Sequence, residues 1–559
     1  MSAVPVNLTA QPTTAHPNLA NVDIGRATGP GTSAVYHTGG WRTERPVYVD
    51  LLPPCSAACP ASEEIQAWLY EAAEGSDGYE HAWRKIVEVN PMPAIMGRIC
   101  YHPCQTACNR VQVDTQVGIN AVERFLGDLA LERGWSLPAP KQETGKRILI
   151  VGSGPAGLSA SYHLRMLGHA VTVREAQEEL GGMMRYGIPE YRLPRDILDA
   201  EVARIAATGV TFEVATPVTD LPAACTEFDA VLIAVGAGQG AHADIPAIDA
   251  KVLDAVTMLH DTAAGDAPLL GRRVAVYGGG NTAMDAARTA RRLGASDTVI
   301  IYRRTQAQMP AHSEEFEDAV LEGVRAQWLT TIKDVDHDAI HVERMELDAN
   351  GRPVPTGEFD EVHADAVVLA IGQNVDLTLV ENDDAIDVTD GVIGINESMM
   401  TGRAGVFAAG DAAPGERTAT FAIGQGRIAA HHMDAYLMGG EFTTPERPNQ
   451  VPFSRLNTWY YSDAPEQVRD TLDAARRITG FEEVLHGLTE TSALFEARRC
   501  MSCGNCFECD NCYGMCPDDA IIKLGPGKRF EIDLDYCKGC SICATECPCG
   551  AIDMVPETR

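Results

Sequence analysis

The C-terminal end of the chain carries one thiol spacing twice: Cys506-x2-Cys509-x2-Cys512-x3-Cys516-Pro517 and Cys537-x2-Cys540-x2-Cys543-x3-Cys547-Pro548. Three closely spaced thiolates hold three irons of a [4Fe–4S] cube, and the fourth Cys of such a run crosses to the other cube. On that rule one cube takes Cys506, Cys509, Cys512 and Cys547, and the other takes Cys537, Cys540, Cys543 and Cys516. A zinc ribbon or a disulfide cluster rarely uses x2-x2-x3-Pro twice. The expected chemistry is transfer of single electrons.

Two further stretches point to dinucleotides. Residues 146–151 (KRILIV) read as a strand that enters Gly152-Ser153-Gly154-Pro155-Ala156-Gly157. A helix-like stretch follows, and a second strand, AVTVRE, ends at Glu175. Glycines permit the tight turn and the close approach of a pyrophosphate. The helix N-terminus stabilises the phosphates, and the acid binds a ribose hydroxyl. A second unit, Arg272–Tyr277, turns through Gly278-Gly279-Gly280-Asn281-Thr282-Ala283, and its second strand ends in Arg303-Arg304. Where a carboxylate there would favour NAD, paired guanidinium donors grip a 2′-phosphate, so NADP is favoured over NAD. The alternative is that two arginines simply flank a strand end.

Ala234-Val235-Gly236 and Ala370-Ile371-Gly372-Gln373 each end an apolar strand, and Gly405-Val406-Phe407-Ala408-Ala409-Gly410-Asp411 follows. Here the sequence resembles flavoproteins with two dinucleotide-binding domains. The resemblance implies FAD in the first unit, with Gly410 and Asp411 closing its site, and the nicotinamide nucleotide in the second. Residues 181–190 (GGMMRYGIPE), with Gly182, Met183 and Arg185, and residues 278–285 (GGGNTAMD) narrow it. Both are similar to the small subunit of glutamate synthase and its relatives, including dihydropyrimidine dehydrogenase, over roughly residues 50–440.

In that family the helical N-terminal region holds two [4Fe–4S] clusters, and its cysteines begin with a motif like Glu-Ala-x-Arg-Cys-x2-Cys. This chain has Cys55, Cys59, Cys100, Cys104 and Cys108 in the region but lacks the opening pair upstream of Cys55. The pair occurs instead at Glu496-Ala497-Arg498-Arg499-Cys500-Met501-Ser502-Cys503, in surplus to the C-terminal run. The resemblance therefore implies one cluster on Cys55, Cys108, Cys500 and Cys503, completed only in three dimensions. The other takes Cys59, Cys100 and Cys104, with Glu123 aligned to the fourth ligand. Open alternatives are one N-terminal cluster with spare thiols, a disulfide or metal clip at Cys500 and Cys503, and Glu123 as a solvated helical residue. Cys225 and Cys549 stay unassigned.

A shorter resemblance joins the two ends. Thr38–Pro46 (TGGWRTERP) and Asp535–Cys540 (DYCKGC) are similar to the ferredoxin-like delta subunit of 2-oxoacid:ferredoxin oxidoreductases. This implies a partner that oxidises a 2-oxoacid with thiamine diphosphate, or a soluble ferredoxin. The other reading of the first segment is a surface arm with one buried Trp.

These centres need a frame. The expected fold class is α/β: a two-dinucleotide-binding-domain flavoprotein with an N-terminal α-helical Fe–S domain and a C-terminal α+β two-[4Fe-4S] ferredoxin domain. Expected bounds are an arm over 1–47, the helical domain over 48–143, and an FAD domain over 144–270 and 366–442. The NAD(P) domain spans 271–365, a linker with helical character 443–498, and the ferredoxin domain 499–559. The 559 residues allow three to four domains. Against 78 acidic residues stand 45 basic ones, a formal charge of -33 that disfavours nucleic acid and anionic membranes. Cluster-type cysteine spacing, no signal-peptide pattern and no apolar run of membrane length make a cytoplasmic protein the expectation.

The nucleotide reading predicts that Arg303→Ala with Arg304→Ala weakens NADPH far more than NADH, because only NADPH carries the 2′-phosphate. Stopped-flow flavin reduction checks it; equal efficiency of the two nucleotides in the unaltered protein would refute it.

Overall fold

The computed structural model describes residues 37–557. Residues 1–36, most of the expected arm and the stretch in which no signal-peptide pattern is expected, lie outside them. Among the described residues no helix is long and apolar enough to cross a membrane.

Four helices, Ile65–Ala72, Tyr79–Val87, Pro93–Ile99 and Ile119–Arg133, form the N-terminal unit. Their apolar stripes meet at Ile65, Trp68, Leu69, Ile86, Val122 and Leu126, all buried. The helices Pro93–Ile99 and Ile119–Arg133 touch almost backbone to backbone. A Cβ on Gly97 would lie 2.4 Å from the Arg124 Cα, and one on Gly127 would lie 2.3 Å from the Ala94 nitrogen. Helix Glu490–Arg498, far along the chain, returns to pack on Ile65–Ala72 and Ile119–Arg133.

The first nucleotide domain is a parallel sheet ordered Val406–Ala408, Ala230–Ile233, Arg147–Val151, Ala170–Arg174, Thr211–Glu213. Its β-branched strands are buried on both faces, as parallel sheets require. Helices Pro155–Met166 and Ala419–Met438 pack against each other over it. The second domain repeats the plan with Val324–Trp328, Asp297–Tyr302, Arg273–Tyr277, Ala366–Leu369 and Val252–Asp254. An antiparallel meander, Thr330–Asp336, Ala339–Leu347 and Pro353–His363, flanks it.

The domain boundaries differ from the expected ones. Val252–Asp254 and Ala366–Leu369 both pair within the second sheet, so the inserted unit begins before 271 and ends after 365. The chain crosses at a two-stranded link, Gln239–Gly240 with Gln373–Asn374. A three-residue strand offers too little periodicity to assign from sequence.

The arm is also not free. Glu44–Tyr48 pairs antiparallel with Ile552–Pro556, making residues 44–48 an edge of the ferredoxin unit, and Trp41 is 70% exposed rather than buried. Between 466 and 498 only Ala474–Arg477 and Glu490–Arg498 are helical. The rest is an extended strap, broken by Gly480 and Gly487 and tied by backbone bonds such as Leu472 N–H to Val484 O (2.8 Å).

Gly97→Ala is expected to cost about 1–3 kcal/mol, the usual range for overpacking, because its neighbour is backbone and has no rotamer by which to yield. A thermal unfolding midpoint equal to that of the unaltered protein would show that the helices part freely.

Candidate functional site

At the first glycine turn, the chain leaves Arg147–Val151 and enters helix Pro155–Met166. A Cβ on Gly157 would lie 2.0 Å from Gly152 O, whereas one on Gly154 would meet nothing within 4 Å. The turn is thus tight on its inner side and open at the helix N-terminus, where a pyrophosphate fits. Buried Glu175 accepts from Ser153 N–H (2.9 Å), the Ser153 hydroxyl (2.6 Å) and Gln177 N–H (3.0 Å). It braces the turn from the end of the strand Ala170–Arg174. Gly410 packs against Ala156 and donates its N–H to Gln425 Oε1 (2.7 Å), bringing Asp411 to the same turn. Burial raises the Asp411 pKa and Arg417 opposes the shift. Gly182 lies against Gly154, and Met183 begins the next helical turn. The Arg185 guanidinium bonds Leu180 O (2.6 Å) and Asp199. It holds the Gly181–Tyr186 turn to helix Arg195–Ala207.

The second turn has the same form. A Cβ on Gly278 would lie 2.1 Å from Ala370 O, and one on Gly280 would point into open space ahead of helix Asn281–Arg292. Asn281 Oδ1 accepts from His312 N–H (3.0 Å), and Ala283 is buried. Thr282 Oγ1 accepts from Gln373 Nε2 (3.4 Å), while Gln373 O accepts from Arg417 (2.7 Å). These bonds join the second loop to the interdomain link. Gly278 N–H bonds Ile301 O (3.1 Å), so exposed Arg303 and half-buried Arg304 follow directly from the strand beside this turn.

All seventeen cysteines are free, and fifteen of them, with Glu123, are the expected cluster ligands. Cys516, Cys537, Cys540 and Cys543 line one small cavity. Burial and the neighbouring thiolates Cys512 and Cys547 raise Cys506; burial, Cys547 and Cys506 raise Cys509. Cys516 thus stands with Cys537, Cys540 and Cys543, and Cys547 stands near Cys506 and Cys509. Cys55 is driven up by burial and then by Cys500, Cys108 and Cys503, which brings those four thiols together across more than four hundred residues of chain. Burial and Glu123 push Cys100 up to about 12, against a hydrogen bond from Thr420. Cys104 rises through burial, Cys100, Cys59, Cys55 and Glu123.

Buried thiolates that repel one another in this way ionise together only around a cationic centre, as an iron–sulfur cube supplies. Among the described residues no three His, Cys, Asp or Glu converge on a single-ion site. A cube is larger than one ion and holds its thiolates further apart, so these groups fit it.

Glu123 is buried, not solvated. Asn90 Nδ2 donates to Oε1 of both Glu123 and Glu63 (2.9 Å each), and the Trp68 indole donates to Glu63 (3.2 Å). Burial first, then Glu63, raises Glu123, and burial pushes Glu63 up to about 7. Glu63 and Asn90 escaped the sequence reading because neither belongs to a spaced motif. Cys549 escaped it too: buried, its Sγ is 3.6 Å from Cys547 Sγ.

Residues 146–426 match the pyridine nucleotide-disulphide oxidoreductase family. The chain belongs to that family. Residues 50–135 match the family described as dihydropyrimidine dehydrogenase domain II, 4Fe-4S cluster. An NADP(+)-dependent formate dehydrogenase subunit beta of Moorella thermoacetica is 34% identical over 538 residues, covering 86% of this chain and 74% of its own. An NADPH-Fe(3+) oxidoreductase subunit beta of Geobacter sulfurreducens is 32% identical over 505 residues, covering 80% and 75%. The small chain of NADPH glutamate synthase of Azospirillum brasilense is 33% identical over 419 residues, covering 69% and 86%. The expected kinship with the glutamate synthase small subunit is thus borne out. The protein is an FAD- and iron–sulfur-dependent NAD(P)H oxidoreductase.

Cys500→Ser with Cys503→Ser is expected to lower bound iron from about four cubes per chain to about three, on the ligand count of one cube. Iron content and the electron paramagnetic resonance spectrum check this; no change in either would leave the pair without a ligand role.

Proposed function

We propose that this chain is the electron-transfer subunit of a multi-subunit oxidoreductase, exchanging electrons between NADP(H) and a partner chain. The carrying observation is the grouping of Cys55 and Cys108 with Cys500 and Cys503, the latter three residues before Cys506. When bound, the flavin exchanges hydride with the nicotinamide and converts the pair into the single electrons that iron–sulfur clusters carry. The residues supply position. Gly152, Gly154 and Gly157 let the FAD pyrophosphate approach the helix N-terminus, with Glu175 and Asp411 at its ribose and ribityl ends. Gly278 and Gly280 do the same for the nicotinamide nucleotide, and Arg303 and Arg304 clamp its 2′-phosphate.

Cys59, Cys100, Cys104 and Glu123 hold the cluster nearest the flavin. Thr420, whose hydroxyl bonds Cys100, lies in the first turn of the helix whose Gln425 accepts from Gly410. A carboxylate in place of a fourth thiolate changes the charge and hydrogen bonding that tune potential. Cys55, Cys108, Cys500 and Cys503 hold the next, and the two C-terminal sets hold the last pair.

For the partner, the Thr38–Pro46 and Asp535–Cys540 resemblance favours a thiamine-diphosphate 2-oxoacid oxidoreductase. Relatives named as beta subunits of a formate dehydrogenase and an Fe(3+) oxidoreductase support the subunit role. The second reading is a glutamate synthase small chain, favoured by the similarity to the Azospirillum protein. The doubled C-terminal cysteine run and the Thr38–Pro46 segment weigh against it.

Cys537→Ala with Cys540→Ala tests the port. Bound iron is expected to fall by about one cube and NADPH-driven flavin bleaching to persist, while reduction of an added soluble ferredoxin falls at least about tenfold. Reduction at the unaltered rate would mean that electrons leave elsewhere.

A further inference from the structure

The segment Thr38–Arg42 is mounted rigidly on the outermost group of thiols. Gly39 N–H bonds Asp535 O (2.9 Å), and a Cβ on Gly39 would lie 2.1 Å from Leu534 O, so only glycine lets the two backbones meet. The Thr38 hydroxyl bonds Tyr536 O, and His37 stacks on the Tyr536 ring at 4.9 Å. Arg42 donates to Cys537 O (3.1 Å) and closes a two-pronged pair with Glu557 (2.7 and 3.0 Å). Everything in the turn is anchored except Trp41, which stands 70% exposed at its tip.

One exposed apolar side chain alone needs no partner. Here Trp41 sits three residues before the strand Glu44–Tyr48, whose Pro46 lines the cavity of Cys516, Cys537, Cys540 and Cys543. Cys540 is itself exposed. A Trp on an anchored turn at the rim of this unit has the form of an interface anchor, since large rigid rings bury much apolar area at little entropic cost.

Charge selects the occupant. Over 38–50 and 504–559 carboxylates outnumber basic side chains twelve to seven. Near Cys537 stand Asp518, Asp533 and Asp535, against Lys538, which already pairs with Asp518 (3.2 Å), and Arg42, which pairs with Glu557 (2.7 Å). A second copy of this chain would bring the same acidic face and a further formal charge of -33. Residues 1–36 hold one acid, Asp23, and one base, Arg26, and cannot complement it.

We propose that Trp41 is the docking anchor for a separate redox subunit that offers an apolar pocket rimmed by lysine and arginine, seated over Cys537 and Cys540. This rests on the reading of the C-terminal thiols as the electron port.

The test uses the full-length protein in its native host, with Trp41→p-benzoylphenylalanine as a photo-crosslinker and the same replacement at Trp459. Trp459 is 88% exposed beside the Cys547 segment. The expected product from position 41 is a cross-link to a different polypeptide whose sequence carries a redox-cofactor signature, with none from position 459. In parallel, Trp41→Ala is expected to weaken co-purification of that polypeptide on the order of thirtyfold, the scale of an aromatic anchor. Iron, flavin and the visible spectrum should stay unchanged, and added salt should weaken the unaltered complex. A cross-link only within the chain or to a second copy, a cross-link only from position 459, or unchanged co-purification of Trp41→Ala would each overturn the proposal. If Cys537→Ala with Cys540→Ala leaves ferredoxin reduction intact, the port reading fails by itself. If it blocks reduction while Trp41 contacts no other chain, only the docking proposal fails.

Discussion

Arg499 holds the molecule's iron–sulfur half together. Only 3% exposed, it donates to Gln116 O (2.7 Å), Thr115 O (2.8 Å), the Thr115 hydroxyl (2.9 Å), Glu496 (2.9 Å) and Ala464 O. Its own carbonyl accepts from Arg110 (2.6 Å), which pairs with Asp114 (2.8 Å). Burial works against the Asp114 charge, yet Arg110 and the Ala464 N–H hold its pKa well below the usual carboxylate range. Removing one member of such a buried network costs about 3–5 kcal/mol, because the others keep their charges without partners. Arg110 and Arg499 adjoin Cys108 and Cys500 in sequence. The knot therefore fixes the approach of two thiols that repel each other.

The strap extends the same logic to the other units. Glu483 pairs with Arg98 (2.8 Å) and Arg124 (2.9 Å) of the helical domain, and Val484 N–H bonds Tyr191 O (2.9 Å) in the first nucleotide domain. Arg477 pairs with Asp318 (2.8 Å) in the second, and Arg455, upstream of the strap, reaches Gly550 O (2.7 Å) in the ferredoxin unit. The stretch 455–484 thus touches every body that carries a redox group. Preorganised positions on rigid supports are what function at such centres demands.

Much of this was legible because the chemistry is written in short spacings. The paired cysteine runs specify their crossing by themselves, and each glycine turn sits between a strand and a helix whose patterns are plain. Cys500 and Cys503 were legible through a motif found in the wrong place. What escaped depends on three-dimensional neighbours. Glu63 meets Asn90 and Glu123 only once three helices pack. The strap reads as helical by composition because its tertiary hydrogen bonds, not its propensity, decide its path. Val252–Asp254 is a strand only because Ala366–Leu369 offers it an edge.

The pairing of Glu44–Tyr48 with Ile552–Pro556 sets a timetable for biosynthesis. Cys55, Cys108 and the first strand leave the ribosome early, yet their partners are the last residues made. At about 5–20 residues per second, they wait roughly twenty to one hundred seconds in company with no one. During that interval the nucleotide domains between them can fold and close the gap, turning a search over an open chain into a short one. A nascent chain truncated before Cys500 lacks both the thiols that stand beside Cys55 and Cys108 and the strand that pairs with Glu44–Tyr48.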